Sequence, residues 1–315
     1  MANKHKKKAR KTPQQIFTEI NNDADTIISI LKSNNVDKKY TETILKLEDC
    51  RPSIWINPEN NRIERQPSTW INPKNNCKES HLRYCCGKSI CPICSFFKNR
   101  IEIAKFYKTY EMLKAKPEFK KAKLWLLTLK PSPHHLLETR NSVEFINKAF
   151  RKFMRYTQPK NSTQIANKWK GKSFIDLDVE YSKFLHVGFD NYLTFATVHL
   201  HVVLFTKPSF TGNNRITDIM MFERWYKATS SVDCYLHCVR ITDTKQDAVD
   251  TMAYGLKTLK IKSAKKHPKK FLQLVEQLER KHKHSHAKGI RAIRAECNKQ
   301  HKQSIKNKKP SNNSK

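Results

Sequence analysis

The run Thr197-Val-His-Leu-His-Val-Val-Leu-Phe205 limits the fold of this chain more than any other stretch. Nearly every residue in it is apolar or β-branched, so it reads as a strand buried in a sheet. His199 and His201 stand two positions apart within it, and side chains at that spacing leave a strand on the same face. Two imidazoles side by side on a buried strand are costly unless their lone pairs are tied together, which a divalent cation does. A single core histidine is usually just hydrogen-bonded; the paired spacing is what points to a metal. The segment Phe174-Ile-Asp-Leu-Asp-Val-Glu-Tyr181 alternates like a second strand, with Asp176, Asp178 and Glu180 on one face. Asp178 is the candidate third ligand.

A second metal-binding pattern lies upstream, in Cys77-Lys-Glu-Ser-His-Leu-Arg-Tyr-Cys-Cys-Gly-Lys-Ser-Ile-Cys91-Pro-Ile-Cys94. The two-residue gap between Cys91 and Cys94 lets two thiolates grip one tetrahedral zinc while backbone amides bond the sulfurs. Cys86, or its neighbour Cys85, supplies a third ligand, and Cys77 or His81 completes the site. An odd total of nine cysteines, four of them within ten residues, suits a metal site in a reducing cytosol better than disulfides. Lys88, Lys98 and Arg100 surround the cluster and are candidate DNA contacts.

The remaining pattern is α+β, strands covered by helices. Residues 1–12 form a lysine-rich arm expected to be disordered, and residues 14–49 carry isoleucines at helical spacing. Arg51-Pro-Ser-Ile-Trp-Ile-Asn-Pro-Glu-Asn returns as Gln66-Pro-Ser-Thr-Trp-Ile-Asn-Pro-Lys-Asn, each copy an extended segment ending in a turn. A helix follows the cysteines to about Lys114. Beyond it come a buried strand from Leu124 to Lys130, a helix over 142–157, and the acidic strand. A loop or hairpin then leads to a strand over Leu193–Phe205. A helix over 216–228, a strand from Cys234 to Ile241, a helix from Gln246 to Leu259, a last helix over Phe271–His284 and a disordered end complete the pattern. The natural divisions are a basic arm (1–12), a helical and repeat region (13–76), the cysteine cluster with its helix (77–114), the histidine-bearing region (115–262) and a basic C-terminal helix and tail (263–315).

Charge narrows the partner. The chain carries 62 Lys and Arg against 28 Asp and Glu, a formal net charge of +34. Such self-repulsion is relieved by a polyanion, and nucleic acid is the usual one. No stretch approaches the roughly 18–20 apolar residues that span a bilayer. With six glycines the chain holds no Gly-x-x-x-x-Gly-Lys-Ser/Thr phosphate loop, so it is not its own helicase.

The segment Asp247-Ala-Val-Asp250-Thr-Met-Ala-Tyr254-Gly-Leu-Lys257-Thr-Leu-Lys260 offers a nucleophile. On a helix, Asp250 and Tyr254 sit one turn apart on one face, with Lys257 on the same side. A tyrosine can attack a phosphodiester and hold the product covalently, and a carboxylate one turn away can move its proton. By itself a tyrosine at helical spacing is more often a core residue; its significance depends on the histidine pair upstream.

In order along the chain, Cys86-Gly-Lys-Ser-Ile-Cys-Pro-Ile-Cys94, Leu126-Leu-Thr-Leu129, His199-Leu-His201-Val-Val-Leu204 and Ala253-Tyr254-Gly-Leu-Lys257 resemble the motifs of the rolling-circle replication initiators of small bacterial plasmids. These belong to the wider class of endonucleases in which two histidines flank a hydrophobic residue, the HUH type. The resemblance spans about residues 77–262. It implies a central antiparallel sheet with the histidines on a middle strand and the tyrosine helix packed over them. It further implies Mg2+ or Mn2+ on His199 and His201, a structural Zn2+ on the cysteines, and Tyr254 as the nucleophile that becomes linked to a 5′-phosphate. The released 3′-hydroxyl would prime a host polymerase, with unwinding left to a host helicase or supercoiling. Lys130 and Lys260 would add DNA contacts in a bacterial cytoplasmic protein, and the resemblance leaves room for a homodimer. Two positions depart from the pattern: Val198 stands where relatives carry proline, and Asp250 where they carry glutamate. A single-tyrosine transposase and a zinc-dependent DNA-binding protein without catalysis are the alternatives.

Overall fold

In the computed structural model, the described residues are 11–35, 38–50, 54–65, 67–71, 78–82, 86, 88, 90–161, 167–177, 179–190, 192–207, 217–231, 233–241, 250, 261–278 and 284–307. They form helices α1 (Pro13–Ser33), α2 (Thr41–Cys50), α3 (Pro92–Ala115), α4 (Thr139–Arg155), α5 (Asp218–Thr229), α6 (Lys262–Lys266), α7 (Pro268–Leu278) and α8 (Lys288–Asn307). The strands are β1 (Ile54–Asn57), β2 (Arg62–Arg65), β3 (Pro67–Ile71), β4 (Lys78–Leu82), β5 (Lys123–Lys130), β6 (His134–His135), β7 (Glu180–Phe189), β8 (Phe195–Thr206), β9 (Tyr235–Ile241) and β10 (His284–His286). The chain divides into two compact units, residues 1–98 with 260–271, and residues 99–259 with 272–315. Among the described residues no helix is long and apolar enough to cross a membrane.

In the first unit, Thr12 caps α1, accepting from the Gln15 amide, while the Gln15 side chain accepts from the Thr12 amide and Pro13 supplies the first helical φ. The expected helix over 14–49 is broken in two. Asn34 donates its side-chain amide to the Ile30 carbonyl, Asn35 accepts from the Tyr40 amide at 2.7 Å, and Lys38 takes a positive φ of 58°. Asparagines that satisfy nearby backbone groups through their side chains compete with helical hydrogen bonding in this way. The two copies of the repeat become equivalent elements: β1 pairs antiparallel with β2, and β3 with β4.

The second unit is built on a six-stranded sheet in the order β10-β7-β8-β5-β9, with β6 also pairing β8. Every pairing is antiparallel. One face buries Leu127, Leu129, Val187, Val198, Leu200, Val202 and Leu204 under α4 and α5, whose Phe150, Phe153, Met221 and Trp225 fill the core. The opposite face packs Leu124, Phe184, Val203, Phe205 and Ile241 against Phe106 and Leu113 of α3 and Ile290 and Ile293 of α8.

Three expectations fail here. Residues 174–177 form a turn, and the strand starts only at Glu180 and runs to Phe189. The acidic side chains bind backbone: Asp176 accepts from the amide and hydroxyl of Ser173, and Glu180 accepts from the Ile290 amide at the start of α8. The expected last helix ends at Leu278, and His284–His286 is an edge strand on β7. The expected disordered end is helical to Asn307. Its buried Ile290 and Ile293 and the ion pair of Arg294 with buried Glu102 tie it to the sheet.

Candidate functional site

The register of the sheet assembles three histidines. His186 on β7 pairs with His199 on β8, and Thr128 on β5 pairs with His201. Cross-strand partners share a face and alternate residues repeat it, so His186, His199, His201 and Thr128 all stand on the α3–α8 face. Apolar packing on that face stops at Phe184 and Val203, and the histidines begin there. Their potential ligand nitrogens lie within 4.8 Å of one another.

The internal geometry is that of a donor cluster. His186 Nδ1 is 2.7 Å from His199 Nε2, and the His199 and His201 ring centroids are 4.9 Å apart at 86°. His199 Nδ1 lies 3.2 Å from the Thr197 carbonyl oxygen, which can only accept, so Nδ1 carries the proton and Nε2 presents its lone pair to the cluster. Thr128 Oγ1 lies 3.3 Å from His201 Nδ1 and orients that ring. His201 is 2% exposed and His199 9%. Such convergence of imidazole nitrogens, with a backbone carbonyl fixing one tautomer, is how proteins prepare a metal site.

Sequence reasoning missed His186. The signal was present: Glu180–Phe189 carries Tyr181, Phe184, Val187 and Phe189, and Ser182, Phe184 and His186 fall on alternate positions. The expected third ligand, Asp178, lies outside the described residues. So do Tyr254, Lys257 and Lys260; Asp250 is helical and exposed.

The second donor cluster lies in the first unit, where Cys50, Cys86, Cys91 and Cys94 bring their sulfurs within 4.8 Å of one another. Cys94 Sγ is 3.4 Å from both Cys50 Sγ and Cys86 Sγ, and accepts from the Cys86 amide at 3.2 Å. The Cys94 amide in turn points at Cys91 Sγ, 3.4 Å away. Hydrogen bonds from the thiols of Cys50, then Cys86 and Cys91, hold Cys94 well below the usual thiol range. Four sulfurs with amide-to-sulfur bonds fit a closed tetrahedral site. Cys86, Cys91 and Cys94 stand where the sequence expected, but Cys50, at the end of α2, completes the set. Cys77 and Cys85 lie outside the described residues.

The expected DNA contacts stand on separate elements. Lys88 sits 3.7 Å from Glu42, Lys98 and Arg100 are exposed on α3, and half-buried Lys130 ends β5 on the histidine face. No protein-family model, curated protein or solved structure matches this chain.

Proposed function

We propose that this protein is a metal-dependent single-strand DNA endonuclease of the HUH type that initiates rolling-circle replication of a plasmid. The observation that carries the reading is the cluster of His186, His199 and His201 on one face of an antiparallel sheet. A repressor or a purely structural zinc protein gives no reason for three imidazoles to converge there. The +34 charge and the four-cysteine site fit a protein that works on DNA.

His186, His199 and His201 would hold the catalytic cation, which when bound polarises the scissile phosphate and offsets the charge that develops on it. Three nitrogen donors favour Mn2+ over Mg2+, because Mg2+ prefers oxygen ligands. Thr128 would orient His201. The Tyr254 hydroxyl would attack phosphorus, forming the Tyr–O–P bond as the P–O3′ bond breaks. The departing 3′-oxygen would take up a proton and become the primer terminus. Asp250 would accept the tyrosine proton, and Lys257 would balance phosphate charge. The cysteine site would hold Zn2+ and present the start of α3 with Lys98 toward DNA. Unwinding and synthesis would fall to a host helicase and polymerase.

The test is incubation of the protein with Mn2+ and labelled single-stranded oligonucleotides tiled across the DNA flanking its gene. A covalent adduct on a denaturing gel, lost in Tyr254→Phe and with EDTA, is expected. Absence of any adduct across metals and strands would leave a non-catalytic zinc-dependent DNA-binding protein as the better account.

A further inference from the structure

We propose that the edge strand β9 carries a seat for an unpaired nucleobase, with the Tyr235 ring as its floor, which leads single-stranded DNA across the sheet to the three histidines; the direction of travel rests on the nuclease reading above. Tyr235 is 49% exposed, a large aromatic left in water on the strand that ends the sheet. Its cross-strand partner is Lys130, whose ammonium lies 5.1 Å from the centre of the Tyr235 ring. Exposed His237 stands two residues along, its ring 6.5 Å from that of Tyr235 and tilted by only 23°.

Register places this group beside the metal cluster. His237 pairs with Thr128, Thr128 pairs with His201, and all three therefore share the histidine face. Tyr235 and Lys130 form the next row, and continuing the β5–β8 register one step beyond Leu129 and Leu200 sets Lys130 level with His199. At the start of β8 the same face ends in Phe195, 53% exposed, with the His135 ring 6.4 Å away and nearly perpendicular. Exposed aromatic rings thus approach the histidines from two directions on this face, Tyr235 across the strands and Phe195 along β8.

The chemistry selects the occupant. An exposed ring stacks on a base only where that base is unpaired, while the adjacent ammonium meets the phosphate that follows. A duplex keeps its base faces inside, so this surface favours single strands. Against a chain of +34, the polyanion also satisfies the charge.

The test measures binding of the full-length protein, in EDTA, to a thymine-rich DNA oligonucleotide carrying 2-aminopurine. Tyr235→Ala is expected to weaken binding ~5- to 100-fold and to reduce fluorescence quenching, while Tyr235→Phe stays within ~2-fold of native, since stacking needs the ring and not the hydroxyl. Lys130→Ala is expected to reduce the salt slope by ~0.7, and Tyr235→Ala to leave it unchanged. Tyr235→Ala binding like native, or Tyr235→Phe losing as much as Tyr235→Ala, overturns the seat. A Tyr235 effect confined to an RNA oligonucleotide of matching sequence also overturns it. Covalent adduct formation without Tyr235-dependent binding sinks the seat alone; Tyr235-dependent binding without any adduct sinks the nuclease alone.

Discussion

His186 and His199 face each other across β7 and β8, Nδ1 to Nε2 at 2.7 Å, and His201 joins them from the next inward position of β8. The third donor of the cluster is therefore an imidazole on the neighbouring strand. Removing it by His186→Ala should weaken Mn2+ binding at least ~10-fold, measured by titration calorimetry. His186→Glu replaces nitrogen with oxygen and should move the preference toward Mg2+. Native affinity in His186→Ala would remove this residue from the site.

Cys50 closes the cysteine site from the end of α2. Cys50→Ser should yield protein without zinc and with a lower thermal midpoint, whereas Cys77→Ser should keep its zinc, because four sulfurs are already in place. Metal analysis of the purified variants decides between them. Zinc retained in Cys50→Ser and lost in Cys77→Ser would show that the ligand set is the one expected from sequence.

Lys183 points to the opposite face of β7, its ammonium donating to Asn147 and lying 5.0 Å from the Phe150 ring centre. Burial, then the charge of Arg151, pushes its pKa down to about 8 from the ordinary 10.5. Between those values the unfolded chain binds the proton more readily than the folded one. Stability from this group therefore rises with pH from about 8 to about 10.5, and the charged form is a burden at neutral pH. Lys183→Met should stabilise the protein by ~1–3 kcal/mol at pH 7, with the advantage shrinking through that window. Urea denaturation at pH 7 and pH 10 reads this difference, and a pH-independent gain would contradict it.

Arg224 on α5 is fully buried and donates to the Tyr156 carbonyl at 2.7 Å and the Lys172 carbonyl at 3.2 Å, with its guanidinium 4.0 Å from the Phe174 ring centre. An ammonium lacks the planar fork that serves two carbonyls and a ring together. Arg224→Lys should cost roughly 1–3 kcal/mol in chemical denaturation, from carbonyls left short of a donor. A loss below about 0.5 kcal/mol, the range of ordinary surface changes, would contradict that role.

Much of the second unit was legible in the sequence. β5, β8 and β9 are apolar or alternating runs, and α4 and α5 show helical spacing, so their existence followed from local pattern. The segment around Asp176 misled because its alternation of apolar and acidic residues imitates a strand, while Ser173 and Asp176 hydrogen-bond locally and form a turn. The end of the chain misled in the opposite way. Its lysines suggest solvation, yet Ile290 and Ile293 give α8 a buried stripe.

By itself the sequence determined the pairing of His199 with His201 and the grip of Cys91 with Cys94, because strand period and a two-residue gap fix those neighbours at short range. Only the tertiary structure decided the rest of each donor set. His186 reaches His199 through the register of two antiparallel strands, and Cys50 reaches Cys94 through the packing of separate elements. Neither pairing can be read from local period, since a residue's partner across a sheet or from another helix is set by the burial of the whole unit.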